Sequence, residues 1–176
     1  GVDVGSVSIN SVLVDEDQRV VYEAPYRRHF GLVFEETIAF LRRILDPSFF
    51  AAEGIPSQPI RSVSFTGVHG QLLADVLSAP YEVETIAQAL GVMHVVPGVR
   101  SIISMGGQDA ALLQLTYVGD RWHLEAFNMN GPCASGTGSF IDQQAERLAQ
   151  SLYGPEFHMD QEKLQKTLDD FIELGL

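Results

Sequence analysis

The sequence predicts an α/β protein in which mixed sheets, built on a duplicated hairpin unit, are flanked by helices. Three observations carry this. Residues 1–25 and 101–129 each read as strand, glycine turn, strand, polar turn, strand. Between them lie stretches of helical periodicity, and a Pro97-Gly98 pair separates the halves. After the second hairpin unit, a glycine-rich run feeds an amphipathic stretch.

The elements follow in order. "GVDVGSVSINSVLVDEDQRVVYEAP" gives a first strand, a tight Gly-Ser turn, a second strand near Ser8–Val14, a polar turn over 15–18, and a third strand near Arg19–Glu23. β-Branched residues and Leu alternate there with small polar ones, as a half-buried sheet requires. Phe34, Ile38, Leu41 and Leu45 recur at helical spacing. Glu35 and Glu36 early and Arg42 and Arg43 late suit that helix's dipole. Residues 46–59 read as a loop, and "IRSVSFTG" (60–67) as a buried strand ending on Gly67. "YEVETIAQALG" (81–91) predicts a short helix stopped by Gly91, and "VMHVVPG" a further short strand. After Gly138, the apolar stripe Phe140, Ile141, Ala145, Leu148 and Leu152 predicts a helix with Asp142, Gln143, Glu146 and Arg147 facing out. Asp169, Asp170 and Glu173 read as a solvated helix face. The expected domains are 1–97 and 98–176.

Bulk properties narrow the function. The chain has 176 residues, 45% hydrophobic, with a formal net charge of −12. That length can bury a core. The charge argues against nucleic acid or an anionic membrane as partner. It leaves room for a phosphate ligand, because glycine loops hold phosphate through backbone N–H groups. One cysteine makes no internal disulfide, which points to a reducing, cytoplasmic setting. No stretch reaches the roughly 18 apolar residues of a membrane span. The chain opens on Gly1 inside a strand-like segment, and reads as an excerpt of a longer protein.

Three constellations could carry chemistry. In Asp3-Val4-Gly5-Ser6, with Ser8, the glycine permits a phosphate-cradling turn and Asp3 could hold Mg²⁺ through water. Gly106-Gly107-Gln108-Asp109 sets a backbone cradle beside an amide and a carboxylate able to orient an attacking water. Taken alone, the first reads more readily as a hairpin that merely uses Gly-Ser for its turn, and the second could equally be a plain turn. In "GPCASGTGSF" (131–140), Gly136, Thr137 and Gly138 feed a helix N-terminus, whose free N–H groups favour an anion. A phosphate or the thiolate of Cys133 suits that place alike, and Cys133 could also be a small buried residue. "GTGSFI" lacks the third glycine of a dinucleotide fingerprint, so no such site is expected. His29, His69, His94, His123 and His158 show no metal spacing and read as structural.

The three glycine turns and the duplicated hairpin resemble the actin-like ATPase (ribonuclease H-like) fold of actin, Hsp70 and the sugar kinases. "GVDVGS", "MGGQDAALLQL" and "FNMNGPCASGTGSFIDQQAERL" narrow this. They resemble the activator ATPases of 2-hydroxyacyl-CoA dehydratases and benzoyl-CoA reductases, the BadF/BadG/BcrA/BcrD ATPase family. "YEVETIAQALGVMHVVPGVRSII" and "YRRHFG" add to the resemblance.

The resemblance implies ATP/ADP, Mg²⁺ and an iron-sulfur (4Fe-4S) cluster as cofactors. Gly5, Ser6, Val7 and Ser8 would form the first phosphate loop, with Asp3 serving Mg²⁺. Gly106 and Gly107, with Gln108 and Asp109 as catalytic groups, would form the second. Gly136, Thr137 and Gly138 would add cofactor contacts. Cys133 would ligate a 4Fe-4S cluster shared across a homodimer. Hydrolysis would then release a low-potential electron to a dehydratase or reductase acting on a CoA thioester. The chain departs from the family pattern at Ser104, where an acidic residue is usual, and at Asn10, where short activators carry lysine. A sugar or amino-sugar kinase, or a non-catalytic scaffold of the same fold, is the alternative.

Overall fold

The computed structural model describes residues 1–130, 138–154 and 161–174. Its contacts divide the chain into two units, Gly1–Leu90 and Gly91–Leu176.

In the first unit the strands are β1 (Val2–Val4), β2 (Ser8–Val14), β3 (Val20–Glu23), β4 (Arg27–Arg28) and β5 (Phe65–Thr66). They form one sheet of order β3-β2-β1-β5, with β4 also on β2. β1 pairs antiparallel with β2, Val4 opposite Ile9. On its other side β1 pairs parallel with β5, Asp3 opposite Thr66. Helices α1 (Val33–Leu45), α2 (Phe49–Ala52) and α3 (Gly70–Leu77) complete this part. Val2, Val4, Ile9, Val33, Phe65, Leu73 and Ala74 form its core. Burial is deepest around β1, the strand that carries Asp3 into the first glycine turn.

Four expectations in this unit change. α1 forms where predicted, but buries Val33, Thr37 and Ile44 and leaves Phe34, Ile38 and Leu45 well exposed. The rotation is possible because Thr37 donates its hydroxyl to the Val33 carbonyl at 2.7 Å. A satisfied hydroxyl can enter a core that a bare one would disrupt. The 46–59 loop contains the single-turn helix α2, whose Phe49 is buried edge-on against Tyr22, ring centroids 5.1 Å apart. The strand expected over 60–67 shrinks to Phe65–Thr66, because β1, its partner, is only three residues long. β4 was not foreseen.

Helix α4 spans Glu84–Val95. It runs through Gly91, and the strand expected at "VMHVVPG" is absent. Val92, Val95 and Val96 favour strands by propensity. Here Val96 instead donates its N–H to Val92 at 2.7 Å, and the turn comes at Gly98 with φ +79°.

The second unit holds β6 (Ser101–Met105), β7 (Ala110–Val118) and β8 (Arg121–Met129), an antiparallel meander. Leu113 and Leu115 are its buried centre. Helices α5 (Gly138–Tyr153) and α6 (Gln161–Leu174) pack together. On α5 the buried positions are Asp142, Ala145 and Ala149, while Phe140, Ile141 and Leu152 are exposed. The stripe is therefore turned from the one predicted, and Asp142 faces inward. Two alanines allow close approach by α6, which buries Leu164, Thr167 and Leu168. Asp169, Asp170 and Glu173 are exposed, as expected.

No helix among the described residues is long and apolar enough to cross a membrane.

Candidate functional site

Both glycine turns close in one way. Gly5 donates its N–H to the Ser8 carbonyl at 3.0 Å, and Gly106 donates to Asp109 at 2.7 Å. A tight two-residue turn would add the reverse bond, from residue four of the turn to the glycine carbonyl. Among the described residues neither turn makes it. The two glycine carbonyls are thus free for other donors, and each finds one. Gly5 O lies 3.2 Å from His29 Nε2. Gly106 O accepts the Gly138 N–H at 3.1 Å, so the first residue of α5 is tied to the second turn. A Cβ on Gly138 would stand in ordinary contact, 3.4 Å from Gly107 Cα.

At the first turn, no backbone bond among the described residues engages the N–H of Ser6 or Val7. Two adjacent N–H donors without such a bond, on a glycine-led turn, can together take an anion. Asp3 stands on β1, just before it. Asn10 Nδ2 reaches Asp3 Oδ2 and Ser8 Oγ, each at 3.5 Å. Asp3 Oδ1 is buried and makes no hydrogen bond among the described residues. Burial raises the Asp3 carboxyl above the ordinary range, and the Asn10 contact opposes this in part. Thr66, paired with Asp3 across β1 and β5, also has a buried hydroxyl without a partner among the described residues. Gly67 follows with φ +86°, close against Asp3 Oδ1 and the Val4 carbonyl.

At the second turn, Gln108 is exposed and Asp109 half-buried, with Asp109 Oδ1 buried and without a partner among the described residues. Asn130 braces the base of this turn. Its side-chain oxygen accepts the Ala110 N–H at 2.6 Å, and its own N–H donates to Ala110 O at 3.1 Å.

The predicted residues Asp3, Gly5, Ser6, Val7 and Ser8 therefore share one turn, and Gly106, Gly107, Gln108, Asp109 and Gly138 another. Cys133, Gly136 and Thr137 lie outside the described residues. Among the described residues, no cluster of three or more His, Cys, Asp or Glu could hold a metal ion. A Mg²⁺ needs less, since it keeps several waters and takes one or two carboxylates plus substrate phosphates. The orphaned Asp3 oxygen fits such an ion. The sequence reading missed Thr66-Gly67 as a neighbour of Asp3, and His29. The β-then-glycine ending at Thr66-Gly67 was visible, but its pairing with β1 was not.

Comparison with known proteins gives these turns a context. The model of the BadF/BadG/BcrA/BcrD ATPase family matches residues 1–153. The chain belongs to that family. Over 153 residues it is 30% identical to the activator of lactoyl-CoA dehydratase from Anaerotignum propionicum, covering 86% of this chain and 54% of that protein. It is also 30% identical over 146 residues to the 2-hydroxyisocaproyl-CoA dehydratase activator of Clostridioides difficile, covering 83% and 50%. The chain spans about half the length of these curated relatives. Among solved structures, the ADPNP-bound activator of 2-hydroxyisocaproyl-CoA dehydratase from Clostridium difficile superposes with TM-score 0.62 at 26% identity, covering 85% of this chain and 53% of that one. Component A of the (R)-2-hydroxyglutaryl-CoA dehydratase of Acidaminococcus fermentans shares the fold, with TM-score 0.63 at 18% identity over 100% of this chain and 68% of that one. The architecture is thus a mixed α/β, actin-like ATPase fold, as the duplicated hairpins predict. The family ATPase is distantly homologous to dehydratase-activating ATPases.

Proposed function

We propose that this chain is the nucleotide-handling part of an ATP-hydrolysing activator. The observation that carries the proposal is the shared form of the two turns, each opened at its glycine carbonyl and each beside a buried carboxylate oxygen without a partner among the described residues. Residues 1–97 and 98–176 are then two subdomains of the ATPase, and each carries one turn.

In this reading the Ser6 and Val7 N–H groups, with Ser8, bind phosphate oxygens at the first turn. Asp3 holds Mg²⁺, which would neutralise charge on the transferring phosphoryl group. At the second turn, Gly106 and Gly107 bring backbone close to phosphate. Gln108 and Asp109 accept hydrogen bonds from a water and orient it for attack. Gly136, Thr137 and Gly138 would add cofactor contacts, with the Gly138 N–H already spent on the Gly106 carbonyl.

The finer assignment is electron delivery to a dehydratase or reductase acting on a CoA thioester, by a homodimer holding a 4Fe-4S cluster at Cys133. It rests on the names of the relatives and on the family resemblance around Cys133. The test is anaerobic purification of the full-length protein, followed by iron analysis and ATPase assay. A brown protein with about four irons per dimer, colourless as Cys133→Ser and still hydrolysing ATP, is the expected result. A colourless protein that phosphorylates a sugar overturns the activator reading, and one with no ATP turnover overturns the ATPase reading.

A further inference from the structure

We infer that His29 is a positioning residue for the first phosphate turn, holding the Gly5 carbonyl so that the Ser6 and Val7 N–H groups stay available to an anion. The inference rests on the nucleotide reading above and deepens it.

The ring's protonation state follows from its neighbours. His29 is 4% exposed. Its Nδ1 accepts the Gly31 N–H at 3.1 Å and so carries no proton. The proton of the neutral ring then sits on Nε2, the nitrogen 3.2 Å from Gly5 O, and donates to it. The turn that delivers Gly31 to Nδ1 is specific, with Phe30 at φ +47° and Gly31 at φ +85°. The backbone N–H of His29 also donates, to Val7 O at 3.2 Å. One residue therefore grips two alternate carbonyls of the turn, and β4 anchors that grip by pairing Arg27 and Arg28 with Ile9 and Ser8.

The surroundings favour the neutral ring. Burial pushes its pKa down; the backbone bonds to Gly5 and Ser6 oppose this, and the neighbouring His69 and Arg28 add to the fall. His69 stands edge-on with ring centroids 6.1 Å apart. A cationic ring would lose the Gly31 bond, since both nitrogens would then donate.

The second turn supports the assignment independently. There the equivalent carbonyl, Gly106 O, is held by the Gly138 N–H. Both turns lack the bond that would close them, and both have a later element take the freed carbonyl.

The test compares His29→Leu, which keeps volume but no donor, with His29→Gln, whose amide N–H can replace the Nε2 donor. Both are made in the full-length protein and measured by binding of a fluorescent ADP with Mg²⁺, by ATPase KM and kcat, and by thermal unfolding. Expected is a roughly tenfold weaker nucleotide Kd in His29→Leu, with most of the loss recovered in His29→Gln, on the scale of one preorganising hydrogen bond. Wild-type affinity in His29→Leu overturns the inference, as does equal weakening in both variants tracking a common loss of Tm. Nitrogen-15 spectra of wild-type histidines give a check that needs no variant. They should show His29 as the Nε2–H tautomer, shifted by ADP; the opposite tautomer, or no shift, overturns the inference. A wild-type protein that binds no nucleotide removes the nucleotide reading and this inference with it, an outcome distinct from the others.

Discussion

Gly138 donates its backbone N–H to the carbonyl of Gly106 at 3.1 Å, joining the first residue of α5 to the second glycine turn. The first N–H groups of a helix have no partner within the helix, so using one in this way costs the helix nothing.

The tie makes an unusual forecast for a helix start. Proline is ordinarily welcome at the first helical position, because the N–H it removes is unused. Here that N–H is used. Gly138→Pro should lower stability by about 1 kcal/mol, the net worth of the bond. It should also weaken nucleotide binding if the second turn holds phosphate. Gly138→Ala keeps the N–H, and its Cβ would meet Gly107 Cα at 3.4 Å, an ordinary contact. It should stay near wild type. Denaturant midpoints of the two variants decide the matter.

Gly67 is intolerant for two reasons at once. Its φ is +86°, and a Cβ would overlap the Asp3 carboxylate oxygen and the Val4 carbonyl. Left-handed strain and forced overlap together should cost about 3 kcal/mol in Gly67→Ala. Gly54 has φ +67° with nothing near its missing Cβ, so Gly54→Ala isolates the strain alone and should cost about 1 kcal/mol. Equal losses of Tm in the two variants would mean that the crowding at Asp3 carries no energy.

Helix α1 offers a test of why its buried face differs from the apolar stripe. Thr37 is fully buried and spends its hydroxyl on the Val33 carbonyl. Thr37→Val keeps the shape and removes a group that no longer needs satisfying, so it should cost less than about 1 kcal/mol. Thr37→Ser keeps the bond but leaves a methyl-sized void, and should cost about 1 kcal/mol or more. Thermal unfolding of both variants checks that ranking.

The legible parts of the sequence were those set by local pattern. Alternation marked β1, β2, β3 and the β6–β8 meander, and the glycines marked both turns. The buried faces of α1 and α5 were misread because Thr37 and Asp142 are polar, and polarity alone gives no sign of being satisfied inside. The helix through Gly91 was missed because valine-rich sequence suits strands until a continuing helix claims it. His29 was invisible as a site residue for another reason. Its meaning lies in a bond to Gly5, 24 residues earlier, that only the antiparallel pairing of β4 on β2 creates.

Asp3 joins a proposed role to a stability cost. Burial raises its carboxyl pKa above the unfolded value, so the folded state holds the proton more tightly than the unfolded chain. The sign follows from linkage. Stability contributed by this group is greatest at low pH and falls as pH rises from the ordinary carboxylate pKa through the raised one, then stays constant. Asp3→Asn removes that loss while keeping an oxygen for Asn10 Nδ2, 3.5 Å from Asp3 Oδ2. The variant should therefore unfold at a higher temperature than wild type at pH 7. The gain should vanish when both are measured below the ordinary carboxylate range. ATP turnover should fall by roughly a hundredfold or more, because the proposed Mg²⁺ ligand is gone. A variant equally stable to wild type at both pH values would show that the Asp3 charge is not strained in the fold. Unchanged turnover would show that Asp3 does not hold the ion.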